Sequence, residues 1–134
     1  MFIFIATGFV VITLLLLIFV YLKTRKSKNY SLKELQYIKS HWIRIIDMFP
    51  GNPSSSILEA DKLLDYALSK KGKQGSLGEK LKNSSALFKD INSVWSAHKL
   101  RNKIAHELGD VDKKAAKRAI RQFKQALNDL GAAL

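Results

Sequence analysis

The first 22 residues, "MFIFIATGFVVITLLLLIFVYL", hold no charged side chain, while beyond Tyr30 apolar residues recur in steps of three and four. The two patterns predict two environments. As a helix, the uninterrupted run is roughly 33 Å long, enough to cross the hydrocarbon core of a bilayer. The stepped pattern predicts amphipathic helices that bury one face against each other, and no stretch alternates as a strand would.

The stepped region divides at its punctuation. A first soluble helix starts at Ser31, with Glu34 at capping-box spacing and a stripe of Leu32, Leu35, Ile38, Trp42, Ile45, Ile46 and Phe49. "PGNP" at 50–53 ends it. A second helix is expected to open at Ser56, with Glu59 as capping partner, and to bury Ile57, Ala60, Leu63, Leu64, Ala67 and Leu68. "SKKGKQGS" closes it; Ser76 and Glu79 then cap a short helix around "LGEKLK". A longer helix is expected over Phe88–Leu108, stopped by Gly109. The last follows Asp112 and runs to Leu130, with Gly131 as its C-terminal cap. The predicted fold class is all-α: a single N-terminal transmembrane helix (1–22), a basic juxtamembrane linker (23–30), and a small antiparallel bundle of four to five helices (31–131).

Charge turns the apolar run into a topology. No Lys or Arg precedes it, it is long, and no small-x-small site follows before Lys23, so the pattern favours a retained anchor over a cleaved signal peptide. "KTRKSK" supplies Lys23, Arg25, Lys26 and Lys28, and positive flanks stay on the cytoplasmic side. The expected location is the cell membrane, single-pass, with the N-terminus outside and the C-terminal domain in the cytoplasm. The lack of cysteine agrees with a reducing compartment without requiring one. The chain's net charge is +12, and anionic headgroups or RNA phosphates are the partners such an excess suits. Besides the linker, the loop lysines Lys70, Lys71 and Lys73 are candidates for RNA or lipid contact; a solvated surface is the plainer reading of the same charge.

The long helix contains "HKLRNKIAHE" at 98–107. At about 100° per residue, Asn92, Ser96, Lys99, Lys103 and Glu107 form a narrow solvent sector. Apolar residues cover the rest, which predicts that this helix is the central one. His98, Arg101, Asn102 and His106 lie outside the solvent sector. A buried guanidinium needs a counter-charge, and acids are few (11 in the chain), with Glu107, Asp110 and Asp112 expected to be exposed. The expectation is that a partner or ligand neutralises Arg101, or that it lines a wet groove.

Arg101-Asn102-Lys103-Ile104-Ala105-His106 resembles the HEPN superfamily, small all-helical domains marked by an arginine, four to six residues, and a histidine, often with Asn directly after the arginine. The likeness covers one helix tightly and the helical layout of 31–131 loosely. It implies a metal-independent ribonuclease or a non-catalytic relative. In the catalytic case His106 moves protons at the RNA 2′-hydroxyl, Arg101 binds the scissile phosphate, and Asn102 orients the histidine or the phosphate. It also implies a homodimer through the Phe88–Leu108 helix, with both motifs around one cleft, and in some relatives a nucleotidyltransferase antitoxin as protein partner. The chemistry suits the residues independently: imidazole titrates near neutrality and guanidinium offers phosphate a charged, planar fork. His98 reads first as a polar core residue and second as an accessory to the site. Three histidines without cysteine or a carboxylate cluster make a poor zinc set, so neither metal nor cofactor is expected. The rival reading is a membrane-tethered dimerisation or protein-interaction module without chemistry. A third is a subunit of a larger membrane assembly; "ATG" at 6–8 gives that one small-residue patch but no GxxxG.

Overall fold

A computed structural model describes the backbone of residues 1–25 and 29–134. Of the basic linker, Lys26 and Lys28 lie outside the described residues, as do the side chains of Lys23 and Arg25. The described chain forms α1 (Phe2–Arg25), α2 (Leu32–Met48), α3 (Pro53–Lys70), α4 (Leu77–Lys82), a 3-10 turn (Ser85–Leu87), α5 (Ile91–His106) and α6 (Lys113–Asp129), with no strand among the described residues. The all-α expectation holds.

α1 is long and apolar enough over Phe2–Leu22 to span a membrane, and its described side chains are exposed. The hydroxyls of Thr7 and Thr13 donate back to the carbonyls of Phe4 and Phe9, at 3.0 and 2.9 Å. Within an apolar medium each would otherwise lack a partner. The helix continues three residues past the apolar run, to Arg25.

The bundle is organised around α3, which packs against α2, α4, α5 and α6. Eight of its residues are buried, against Val94 and Ala97 alone for α5. The expectation that the Phe88–Leu108 helix is central is therefore corrected. The expected solvent sector is observed, since Asn92, Ser96, Lys99, Lys103 and Glu107 are all exposed, but Ala105 and Leu108 are exposed too. Apolar residues around a helix axis do not bury it when its main packing is against two neighbours, here α3 and α6. The helix is also shorter than expected: Asp90 caps it, accepting from Ser93 N at 3.2 Å, and Phe88 enters the core from the preceding turn.

α2 and α4 begin at their expected caps. At Ser31 both arms of the capping box close: Glu34 N donates to Ser31 Oγ (3.2 Å) and Ser31 N to Glu34 Oε2 (2.8 Å). α3 starts three residues before the expected Ser56. Asn52 is the cap, with Ser55 N donating to its Oδ1 at 3.0 Å, and Pro53 occupies the first turn, where its missing N–H costs nothing. Ser56 is buried instead, its hydroxyl 3.1 Å from the carbonyl oxygens of both Asn52 and Ile45, so it ties α3 to the end of α2. Two helices stop in the same way. At Gly72 and Gly131 the backbone turns left-handed (φ +83° and +98°), and the next residue's N–H reaches back to Leu68 and Leu127 respectively.

The core joins Ile38, Trp42 and Ile45 of α2, the α3 stripe, and Ala116, Ala119, Ile120, Phe123, Ala126 and Leu127 of α6. Alanines at 60, 67, 97, 116, 119 and 126 let the axes approach, and Phe123 fills the space between them. The end of the linker is fastened into this body. Tyr30 donates to the Ala67 carbonyl at 2.9 Å, and the Lys71 ammonium sits 4.2 Å from its ring centre.

Candidate polar site on α3 and α5

The interrupted face of α5 meets one acid. Asp61 of α3 is nearly sealed, and its carboxylate takes two partners from α5: Oδ1 accepts from His98 Nδ1 at 2.8 Å, and Oδ2 lies 3.3 Å from Arg101 Nε. Arg101 Nη1 donates to Asn102 Oδ1 at 3.1 Å, and Asn102 Nδ2 faces His98 Nε2 at 3.4 Å. The four side chains close a ring, Asp61 to His98 to Asn102 to Arg101 and back.

The ring is consistent atom by atom. A carboxylate only accepts, so His98 carries its hydrogen on Nδ1. Asn102 turns its oxygen to the guanidinium, which only donates, and so presents its NH₂ to the remaining imidazole nitrogen. The spacing is helical: His98 and Asn102 are four apart and Arg101 three beyond His98, which puts them along one flank of α5. Trp95 packs its edge on His98, ring centres 5.8 Å apart.

This corrects the expected source of the counter-charge. Arg101 is neutralised within the chain, by an acid on another helix. Asp61 interrupts the apolar stripe of α3 four residues after Ile57, just as His98 interrupts that of α5. Asking which acid stands in a buried stripe would have found it. The contact is ionic rather than a well-aligned hydrogen bond, since Arg101 Nε is buried and lacks a hydrogen-bond acceptor. The outer guanidinium remains available: the side chain is 31% exposed, and among the described residues nothing engages Nη2.

The expected trio is only partly assembled. Arg101 and Asn102 are half-buried and bonded to each other, whereas His106 stands exposed on the last residue of α5, with no hydrogen bond or ion pair to either among the described residues. His98 belongs to the ring, in keeping with its reading as a polar core residue. Of the loop lysines, Lys71 is half-buried over Tyr30 and Lys70 lies 5.4 Å from the Tyr66 ring centre. Burial lowers the Lys71 pKa, with Glu34 opposing that shift. Burial likewise pushes the Tyr30 phenol up, helped by Glu34, which keeps it a neutral donor to Ala67. Lys71 thus has a structural task, while Lys70 and Lys73 stand at the loop's surface or edge.

No family model, curated protein or solved structure matches this chain.

Proposed function

We propose that this chain is a membrane-anchored, HEPN-like helical domain that engages RNA phosphate through Arg101, Asn102 and His106 and acts as a homodimer. The observation that carries the reading is the disposition of Arg101. Asp61 holds its Nε edge and Asn102 its Nη1, so Nη2 is presented outward with the guanidinium plane already fixed. A fixed fork loses less freedom on gripping a phosphate than a wandering one. His106, exposed one helical turn beyond Asn102, is accessible to a ribose hydroxyl. In the reaction, imidazole removes the 2′-hydroxyl proton, the 2′-oxygen attacks phosphorus, and the 5′-oxygen leaves with a proton returned to it. The products are a 2′,3′-cyclic phosphate and a 5′-hydroxyl. The exposed Ala105 and Leu108 offer a second copy an apolar contact at this end of α5, bringing one chain's histidine towards the other's arginine. α1 is the anchor, with the bundle on the cytoplasmic side by the charge of its flank.

The test is cleavage of labelled RNA by the full chain in phosphatidylcholine nanodiscs containing EDTA. Arg101→Ala and His106→Ala are each expected to lower the rate at least about 100-fold, the ordinary worth of one acid–base group. Equal cleavage by all three proteins would sink the assignment.

A second reading has its own observation. Because Asp61 already neutralises Arg101, the ring is stable without any ligand, as a non-catalytic, membrane-tethered interaction module would require. A wild-type chain that dimerises but neither cuts nor binds RNA would favour it.

A further inference from the structure

The outer face of α6 carries Lys113, Lys114, Lys117, Arg118, Arg121 and Lys124, all exposed, and among the described residues none of the six forms an ion pair. Such a stripe alone is an ordinary solvated surface. Beside it, however, lies an apolar trough of about 440 Å³ between α2 and α6, lined by Trp42, Ile43, Ile46 and Ile120 and rimmed by Arg121, Lys124 and Asp47. Ile43 and Ile46 are 59% and 42% exposed. An apolar trough flanked by unpaired cations is the composition of a face that lies in a bilayer interface, apolar side chains inward and Lys or Arg at the headgroups.

The tether keeps the bundle near the anchor. Arg25 ends α1 and Tyr30 is already fastened to Ala67, five residues on. Whatever its conformation, that length of chain reaches at most about 18 Å. The bundle is thus held close enough to the anchor's end for one of its faces to come within a Debye length of anionic headgroups.

We propose that the α2–α6 face docks on anionic lipid, with Ile43 and Ile46 entering the interface and Arg121 and Lys124 gripping headgroup phosphates. The proposal rests on the reading of α1 as a membrane anchor. It goes beyond that reading by giving the bundle one fixed face towards the bilayer, leaving the Arg101 end of α5 on a different surface.

The chain lacks cysteine, so a single Ile43→Cys carries a spin label at one position. The full chain is reconstituted in vesicles of phosphatidylcholine alone, or with half replaced by phosphatidylglycerol. Collision with oxygen and with a water-soluble nickel chelate then reports whether the label sits in lipid or water. The expected result is lipid exposure with phosphatidylglycerol, loss of it in phosphatidylcholine, and loss of it again in Arg121→Glu/Lys124→Glu at unchanged helicity. A label that stays aqueous in both vesicles while the chain resists carbonate extraction overturns the docking and leaves the anchor standing. Carbonate release with the label still in anionic lipid overturns the anchor and leaves the docking. Should the charge reversal abolish RNA binding while the label remains aqueous in anionic vesicles, the face serves RNA and the proposal fails.

Discussion

α3 carries two aspartates four residues apart, and each clamps a cation from another element, yet the two clamps are built in opposite senses. Asp61 is sealed (7% exposed) while its partner Arg101 is 31% exposed. At the other clamp Lys80 of α4 is sealed (6%) and Asp65 is 43% exposed; Lys80 Nζ also reaches Ser69 Oγ, both at 2.7 Å. The difference teaches which clamp has chemistry to spare. A sealed ammonium with two oxygens has met its needs, and its acid faces water, so the α4 clamp ends in structure. A sealed carboxylate under a half-exposed guanidinium fixes a cation and leaves part of it outside, so the α5 clamp can still receive an anion. Sealing the acid rather than the base separates a site from a brace.

Removing Asp61 is the harshest way to break the comparison. Asp61→Ala leaves Arg101 Nε and His98 Nδ1 buried against nothing, and the bundle should lose about 3–5 kcal/mol in chemical denaturation of the detergent-solubilised chain. A loss under about 1 kcal/mol would mean that water reaches the ring and that α5 is not held by this acid.

The α4 clamp should respond less, and asymmetrically. Asp65→Ala strands a buried ammonium on Ser69 alone, a cost of about 1–3 kcal/mol. Lys80→Met removes the charge and keeps the shape, and should change stability by less than about 1 kcal/mol in either direction. If the methionine variant proved the worse of the two, the clamp would be adding more than Lys80 costs to bury.

The ring itself can be sharpened by a double-mutant cycle. Arg101→Ala alone should cost about 1–2 kcal/mol, but much less on an Asp61→Ala background, because the two residues share one interaction. Additive effects would separate Arg101 from Asp61 and remove the pre-set fork on which the RNA reading leans.

The smallest effect concerns the start of α5. Ser93 donates to Asp90 through both its hydroxyl and its N–H, and these bonds hold the Asp90 carboxyl below its usual range despite a small opposing effect of desolvation. A depressed folded value means the stabilisation is present above the unfolded carboxylate value, about 3.9, and is lost as pH falls through the folded one. Asp90→Asn keeps an accepting oxygen without a titrating charge. Its deficit in melting temperature relative to wild type should therefore be small near neutrality and vanish in acid. A gap that persists or widens in acid would contradict this origin.

Much of the architecture was legible because it is local. The capping box at Ser31, the helix over Leu77–Lys82, the Asp112 cap of α6 and the glycine at 131 depend on neighbours within one turn, and each stands where its pattern puts it. α3 starts before its expected cap because Ser56 and Glu59 mimic a cap, while Asn52 and Pro53 form the true one. The site was legible on one side only. His98, Arg101 and Asn102 announced themselves by interrupting an apolar face, but Asp61, 37 positions before His98, meets them only when α3 lies across α5.

By itself the sequence determined the helices, the caps of α2, α4 and α6, the apolar N-terminal span and the polar positions on α5, since each is set by backbone hydrogen bonding and side-chain periodicity within a few residues. Which helix is central, that Arg101 finds its counter-charge inside the chain, and that Ile43 and Ile46 stand beside the cations of α6 were decided only by packing. Those facts depend on which faces meet, and a face can be apolar without stating what will cover it.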